Sequence, residues 1–95
     1  MDKVERFREI ANDLAELYAK KNADYGDSFG RTFKELGPIS ALTRISDKFN
    51  RAKNIIIHSK GDINFESLED TFLDMAAYCI MTTIEVENSR KENNE

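Results

Sequence analysis

The fold is decided by residues 38–57, which read PISALTRISDKFNRAKNIII. Gly37 precedes this stretch and Pro38 opens it, an order that is typical of a chain break followed by the first turn of a helix. Apolar residues then recur at steps of three and four, which is the spacing of the buried seam in a helix bundle. The members of this seam are Leu42, Ile45, Phe49, Ala52 and Ile56. The pattern predicts one helix from Pro38 to about Ile57 that packs against other helices.

Helical patterns lie on both sides of this stretch. Residues 2 to about 22 carry an apolar stripe at helical spacing, and Asp2 is a candidate N-cap. We expect a short helix from about Gly30 to Leu36 and a long helix from about Glu66 to Asn88. The core stripe of this last helix comprises Leu68, Phe72, Met75, Cys79 and Val86. The sequence therefore predicts an all-α protein, a compact bundle of three long helices and one short helix.

Length and composition limit what such a bundle can be. The chain has 95 residues, of which 40% are hydrophobic and 34% are charged. We expect a single helical domain over residues 1–88 and a disordered polar tail over residues 89–95. A chain this small and polar often hides part of its apolar surface in an oligomer, so we expect a homo-oligomer.

Charge and hydropathy exclude several partners and locations. The net charge of −4 argues against general nucleic-acid binding, which usually needs a basic protein. No apolar run approaches the roughly 20 residues that span a bilayer, and the N-terminus does not resemble a signal peptide. We therefore expect a cytoplasmic protein without membrane contact. The single cysteine, Cys79, lies in an apolar helical run and is expected to be a buried thiol.

The segment KNADYGDSFG, residues 21–30, carries more functional groups than a turn between helices requires. Such a connection usually needs two to eight residues, a glycine and some polar atoms. This one also holds two acids, an aromatic hydroxyl and a serine. We predict a loop from Asp24 to Gly30 that forms a lid or wall over a ligand. Its candidate ligand-binding residues are Asp24, Tyr25, Asp27, Ser28 and Phe29.

A mainly basic flank lies beside the seam of the middle helix, and a row of acids follows the last helix. The basic flank consists of Arg44, Asp47, Lys48 and Arg51, and the acidic row of Glu66, Asp70 and Asp74 at every fourth position. In one interpretation, salt bridges join Arg44 or Arg51 to Asp70 or Asp74 and fix the helix register. In the other, Arg44, Lys48 and Arg51 bind phosphate, while Asp70, Asp74 and Glu66 hold Mg²⁺.

Together, the loop, the flank and the row contain the parts of a nucleotide site. The rings of Tyr25 and Phe29 could stack on a base, and Asp27 or Ser28 could bind polar atoms of the base or ribose. The basic flank would then bind the phosphates. We therefore expect the ligand to be a nucleotide or a small molecule derived from one, and Mg²⁺ is the one cofactor that the pattern suggests.

Three blocks of the chain resemble one small family. They are KNADYGDSF at residues 21–29, RISDKFNR at residues 44–51 and ESLEDTFLDMAAY at residues 66–78. In this order and spacing they look like the nucleotide modification associated domain 1 family, formerly the domain of unknown function 1599. That family is frequent in bacteriophages and Firmicutes, and the resemblance covers roughly residues 15–87. The matching polar motif positions are Asp24, Tyr25, Asp27, Ser28, Arg44, Asp47, Lys48, Arg51, Asp70 and Asp74.

The resemblance implies an association with nucleotide and DNA-base modification, and it carries over no catalytic residue. For a phage-encoded chain, it also implies a place in the host cytoplasm. A second similarity is to the all-α nucleoside triphosphate pyrophosphohydrolases of the MazG type, in which acids on two helices hold Mg²⁺. This chain has the late acidic row. Its first helix departs from that type because it offers Glu16 and no paired-glutamate motif.

Three functions remain open from the sequence. The first is a nucleotide-binding protein without turnover, which in a phage setting would act as a sponge that sequesters a host nucleotide such as a cyclic or modified immune signal. The second is a Mg²⁺-dependent enzyme, either a nucleotide pyrophosphohydrolase or a participant in base modification. The third is a structural or regulatory helical protein whose charged rows are salt bridges.

Overall fold

The computed structural model describes residues 2–93, which form four helices and no strand. The helices are α1 (Lys3–Tyr25), α2 (Ser28–Leu36), α3 (Pro38–Ile57) and α4 (Phe65–Asn93). They make the described chain 88% helical. The prediction of an all-α bundle with three long helices and one short helix is confirmed. None of the helices in this range is long and apolar enough to cross a membrane.

Local capping interactions explain where α1 and α3 begin. Asp2 is the N-cap of α1, and its Oδ1 accepts a hydrogen bond from the backbone N–H of Val4 at 2.7 Å. Gly37 separates α2 from α3 at a φ of +80°, which favours glycine, and Pro38 opens α3. The predicted bounds of α3 are confirmed, and the Asp2 cap is confirmed as well.

The predicted end of α4 at Asn88 is wrong, because the helix continues to Asn93. Residues 89–93 of the expected disordered tail are therefore helical, while residues 94 and 95 lie outside the described range. The segment contains no glycine or proline to stop the helix. Ser89 donates a hydrogen bond to the carbonyl of Glu85, and Arg90 and Lys91 place positive charge where the helix dipole favours it.

The contact between α3 and α4 is the most extensive in the fold. The two helices are antiparallel: Lys48 pairs with Asp74, and Arg51, further along α3, reaches back to Thr71. Small side chains lie in this contact. Ala41 and Ala52 of α3 and Thr71 of α4 are all buried, which lets the two backbones approach closely.

The predicted seam of α3 is only partly correct. Ala52 is buried and Ile45 is half-buried, but Leu42, Phe49 and Ile56 are exposed. The α4 stripe shows the same departure, since Phe72, Cys79 and Val86 are exposed while Leu68 and Met75 are half-buried. The expectation of a buried Cys79 thiol is therefore wrong in the single chain. The reason is that small residues occupy the close α3–α4 contact, so the larger residues of both predicted stripes point away from that contact.

Helix α1 and helix α2 cover a different part of the α3–α4 pair. Helix α2 packs mainly on α3, where Phe33 is its buried apolar side chain. Helix α1 contacts mainly α4, and none of its residues is buried. Its apolar stripe therefore borders an open space, and this space positions the candidate site.

We predict that Ala52→Leu destabilises the protein by about 1–3 kcal/mol, the usual cost of forcing extra methylenes into a close contact. Urea denaturation at a fixed protein concentration measures the effect. The exposed Ala19 of α1 supplies the matched control, because Ala19→Leu adds the same atoms without a close neighbour. Equal stabilities of the two variants would contradict the close α3–α4 contact.

Candidate functional site

The predicted loop from Asp24 to Gly30 is a two-residue junction. Helix α1 continues through Asp24 to Tyr25, and α2 already begins at Ser28. Only Gly26 and Asp27 lie between the helices, and both adopt the left-handed conformation at φ values of +59° and +58°. The backbone N–H of Gly26 donates to the carbonyl of Asn22 and closes α1. The prediction of a seven-residue loop is therefore wrong.

Two contacts are made at this junction, a hydrogen bond from Arg31 and a close approach between Gly30 and Asp27. The guanidinium of Arg31 donates a hydrogen bond to the carbonyl of Gly26, across the turn. Gly30 faces the Asp27 carboxylate so closely that an added Cβ would lie 2.5 Å from Oδ2. Asp27 occupies the N-cap position of α2, but its side chain makes no capping hydrogen bond. The junction is compact, so Tyr25, Ser28 and Phe29 take fixed positions on the two helices.

A cleft of about 1040 Å³ lies between α1 on one side and α2, α3 and α4 on the other. Seven of the candidate residues line it, namely Tyr25, Ser28, Phe29, Arg44, Lys48, Asp70 and Asp74. The α1 wall combines the apolar Ile10, Leu14 and Leu17 with charged residues such as Lys21. The cleft thus has both apolar and charged side chains in its lining, as in many small-molecule sites.

Four candidate residues do not line the cleft. Asp24 is exposed on α1, Asp27 lies in the junction, and Glu66 is exposed in the first turn of α4. Arg51 lines a separate shallow groove near the end of α3, together with Asp47. Its Nε donates to the hydroxyl of Thr71 at 3.2 Å, so Arg51 supports the α3–α4 contact.

The cations of the cleft differ in their partners. Lys48 Nζ lies 3.0 Å from Oδ2 of Asp74, so its charge is largely balanced by that carboxylate. The interhelical bridge predicted at Arg44 or Arg51 is formed at Lys48 instead. Over residues 2–93 the other salt bridge joins Arg6 and Glu9, so none holds Arg44. Arg44 is exposed on the cleft wall and can donate to an anion.

The acidic row does not form the expected metal site. In the part of the chain that the structure describes, no three His, Cys, Asp or Glu side chains are grouped to hold a metal ion. Asp70 and Asp74 share the cleft wall, but Asp74 is paired with Lys48 and Glu66 lies outside the cleft. The arrangement therefore does not fit a Mg²⁺ ion held by these three carboxylates.

An aromatic pair lines the cleft. The rings of Phe29 and Tyr78 stack with their centroids 6.0 Å apart and their planes at 27°. Phe29 is one of the predicted ligand-binding residues, whereas Tyr78 is not. A signal was present, because Tyr78 extends the row of Asp70 and Asp74 by one further step of four residues. That spacing places all three on one face of α4.

Tyr18, which was also missed, lines the cleft and lies near two carboxylates outside it, those of Asp27 and Glu85. Burial raises the pKa of Tyr18 above the ordinary value of 10.0, and the negative charges of Asp27 and Glu85 raise it further. The neutral phenol is therefore the form that the folded protein favours. As a neutral hydroxyl it can donate a hydrogen bond to a ligand at physiological pH.

Comparison with known proteins gives one match. The family model described as nucleotide modification associated domain 1 matches residues 21–86, which is more than two thirds of the chain. The matched region runs from the end of α1 through most of α4, so it contains every candidate residue of the cleft. No curated protein and no solved structure matches the chain.

We predict that Gly30→Ala and Asp27→Gly are energetically coupled. Alanine favours a helix over glycine by about 0.5–1 kcal/mol, but here its Cβ would displace the Asp27 carboxylate. Gly30→Ala should therefore stabilise the Asp27→Gly variant clearly more than it stabilises the wild type. A double-mutant cycle from urea denaturation measures the coupling. Equal effects in both backgrounds would contradict the Gly30–Asp27 contact.

We also predict that Tyr18 makes stability fall at alkaline pH. Above pH 10 the unfolded chain loses the Tyr18 proton before the folded protein does, so deprotonation favours unfolding. The free energy of unfolding of Tyr18→Phe should therefore decrease less than that of the wild type as the pH rises above 10. Below that pH the difference between the two proteins should stay constant. Parallel curves over the whole range would rule out the shift.

Proposed function

We propose that this chain, which belongs to the nucleotide modification associated domain 1 family, binds a phosphorylated nucleotide in the cleft between α1 and α2–α4. The family description associates the domain with nucleotide modification. The observation that carries the more specific proposal is the exposed Arg44 on the cleft wall, without a salt bridge among residues 2–93. In this proposal the protein holds the nucleotide intact and so sequesters it.

Arg44 supports phosphate binding because its charge is available. An arginine fork donates two parallel hydrogen bonds to a phosphate, and such charge-assisted bonds are about twice as strong as neutral ones. Lys48 is a weaker candidate, since binding a phosphate would compete with Asp74. Lys21 lies on the α1 wall of the same cleft and adds positive charge from the other side. Phosphate would thus lie between α1 and α3.

The aromatic side chains support base binding. Tyr25 and the Phe29–Tyr78 pair line the cleft, and a base can stack on an exposed ring edge or face there. The cleft volume of about 1040 Å³ is at the upper end of the range of small-molecule sites, roughly 300–1,000 Å³. A ligand larger than a mononucleotide, such as a cyclic dinucleotide, would therefore have room.

The acids of the cleft favour binding over Mg²⁺-dependent turnover. A metal ion that bridges to phosphate needs free carboxylates, whereas Asp74 is occupied by Lys48. Asp70 and Asp74 would instead select among ligands, because a nearby carboxylate repels a phosphate placed on the wrong side of the cleft. This arrangement limits the phosphate to the Arg44 side.

We predict that Arg44→Ala weakens nucleotide binding by about 10- to 100-fold, because hydrogen bonds to charged groups contribute about 1.5–3 kcal/mol each. A panel of canonical, cyclic and modified nucleotides is first screened by the shift in melting temperature, and calorimetry then gives the Kd of the best ligand. The matched control is Arg51→Ala, which removes the same side chain outside the cleft. It should lower stability and leave the Kd unchanged.

Two outcomes would contradict this proposal. One is a panel in which no nucleotide shifts the melting temperature of the wild type. The other is a Kd that responds to Arg51→Ala more than to Arg44→Ala. Binding is separated from turnover by incubating the protein and ligand with Mg²⁺, releasing the ligand and analysing it by chromatography. Intact ligand is expected, and a cleaved product would show an enzyme instead.

A further inference from the structure

A second surface of the chain consists of apolar side chains from both α3 and α4. We define it as the open face. Its members are Leu42, Ile45, Phe49 and Ile56 of α3, and Leu68, Met75, Cys79 and Val86 of α4. None of the eight carries a charge, and Leu42, Phe49, Ile56, Cys79 and Val86 are exposed. These positions follow the three- and four-residue steps of a buried seam, yet α1 and α2 leave them uncovered.

Helix geometry places the two halves of the open face on the same side of the α3–α4 pair. A residue advances by about 100° around an α-helix. Measured from the buried Ala52, the α3 members lie at about 20–80° in one rotational sense. Measured from the buried Thr71, the α4 members lie at about 40–80° in the same sense. Because the helices are antiparallel, equal senses of rotation point to one side of their common plane.

The cleft lies on the other side of that plane. Arg44 lies at about 80° from Ala52 in the opposite sense, and Asp70 lies at about 100° from Thr71 in the opposite sense. Both residues line the cleft. The open face and the cleft are thus separated by the α3–α4 pair itself. A partner could cover the open face without closing the cleft.

The size of the open face suits a specific interface. Helix α3 is 20 residues long, which corresponds to about 30 Å, and two helices side by side are about 20 Å wide. Covering this area would bury roughly 600 Å² on each partner, or about 1,200 Å² in total, the lower limit of stable specific interfaces. Apolar burial contributes about 25 cal/mol per Å². Exposure of this face is therefore costly, because residues 2–93 have only three buried hydrophobic side chains.

The composition of the open face favours a second copy of the same chain as the partner. An uncharged, two-helix face is self-complementary, because a two-fold axis brings apolar residues against apolar residues and opposes no like charges. Two such pairs of antiparallel helices form a four-helix bundle with the usual seam spacing. A membrane surface fits less well, since amphipathic helices that bind anionic lipids carry basic residues on their polar face, whereas this chain has a net charge of −4.

We propose that two copies of the chain pair through the open face into a four-helix bundle of α3 and α4, with one cleft on each outer side. The pairing would cover the exposed seam residues of α3, which are Leu42, Phe49 and Ile56, and two exposed stripe residues of α4, Cys79 and Val86. Phe72, the other exposed residue of the α4 stripe, lines the cleft instead. The proposal is independent of the nucleotide, because Arg44, Asp70 and Asp74 lie on the opposite side.

Paired variants of α3 test the surface. Leu42→Glu/Phe49→Glu places two charges on the open face, at residues that are 58% and 56% exposed in the single chain. Thr43→Glu/Asn50→Glu places the same charges, at the same seven-residue spacing, on exposed positions of α3 that lie about 160–180° from Ala52 and so face away from α4. The mass in solution is measured by light scattering, with circular dichroism as a check of helix content. One chain has a mass of 10.9 kDa.

The wild type is expected at twice the mass of one chain or a higher even multiple. The open-face variant should have at most half the wild-type mass, whereas the Thr43→Glu/Asn50→Glu variant should keep it. A wild type of 10.9 kDa at every concentration would overturn the proposal, and recovery of that monomer on anionic vesicles would assign the face to a membrane. Equal masses of the two variants would overturn it too.

The thiol of Cys79 gives a second test that needs no substitution, because the chain contains no other cysteine. Its rate of reaction with a thiol reagent is measured on the wild type over a wide range of protein concentration. Pairing should protect Cys79, so the rate should fall by at least tenfold from the dilute to the concentrated sample. A rate that does not depend on concentration, in a range where the mass changes, would place the interface elsewhere. This measurement decides the question if the open-face variant does not fold.

Discussion

The close antiparallel contact between α3 and α4 is the constraint on which the rest of the structure depends. Ala41, Ala52 and Thr71 leave so little side-chain volume between the helices that their backbones lie close together. The Thr71 hydroxyl donates to the Ser67 carbonyl and accepts from Arg51, so this buried polar group has hydrogen-bond partners. The contact fixes the rotation of both helices about their axes. That rotation sends the residues of the open face to one side and Arg44, Asp70 and Asp74 to the other.

The charged side becomes a site only because α1 and α2 stand opposite it. Their two-residue junction is held by Arg31 and by the close approach of Gly30 to Asp27, so the aromatic residues at the junction are positioned by helices rather than by a loop. Within the cleft, Asp74 balances Lys48, whereas Arg44 is exposed and forms no salt bridge within residues 2–93. In our proposal the phosphate binds at Arg44, although the chain as a whole is acidic.

The same rotation explains why the single chain has such a small core. Phe33, Ala41 and Ala52 are its buried hydrophobic side chains, and α1 contributes none. A small chain buries a smaller fraction of its surface on folding than a large one does. Self-association through the open face would add the missing burial while the clefts stay accessible on the outer sides. Stability and ligand binding would then use opposite surfaces of the α3–α4 pair.

The sequence by itself determined the helices, because apolar periodicity, the Asp2 cap and the Gly37–Pro38 break are local signals. It also selected seven residues that line the cleft, since a helix places side chains three and four apart on one face. Only the tertiary structure decided how each helix is rotated toward its neighbour. The seam pattern in α3 indicates an apolar face, but it does not say whether that face meets α4 or lies open. Small residues occupy the α3–α4 contact because they permit closer packing. The resulting rotation of the two helices places Arg51 outside the cleft and Tyr78 in its lining.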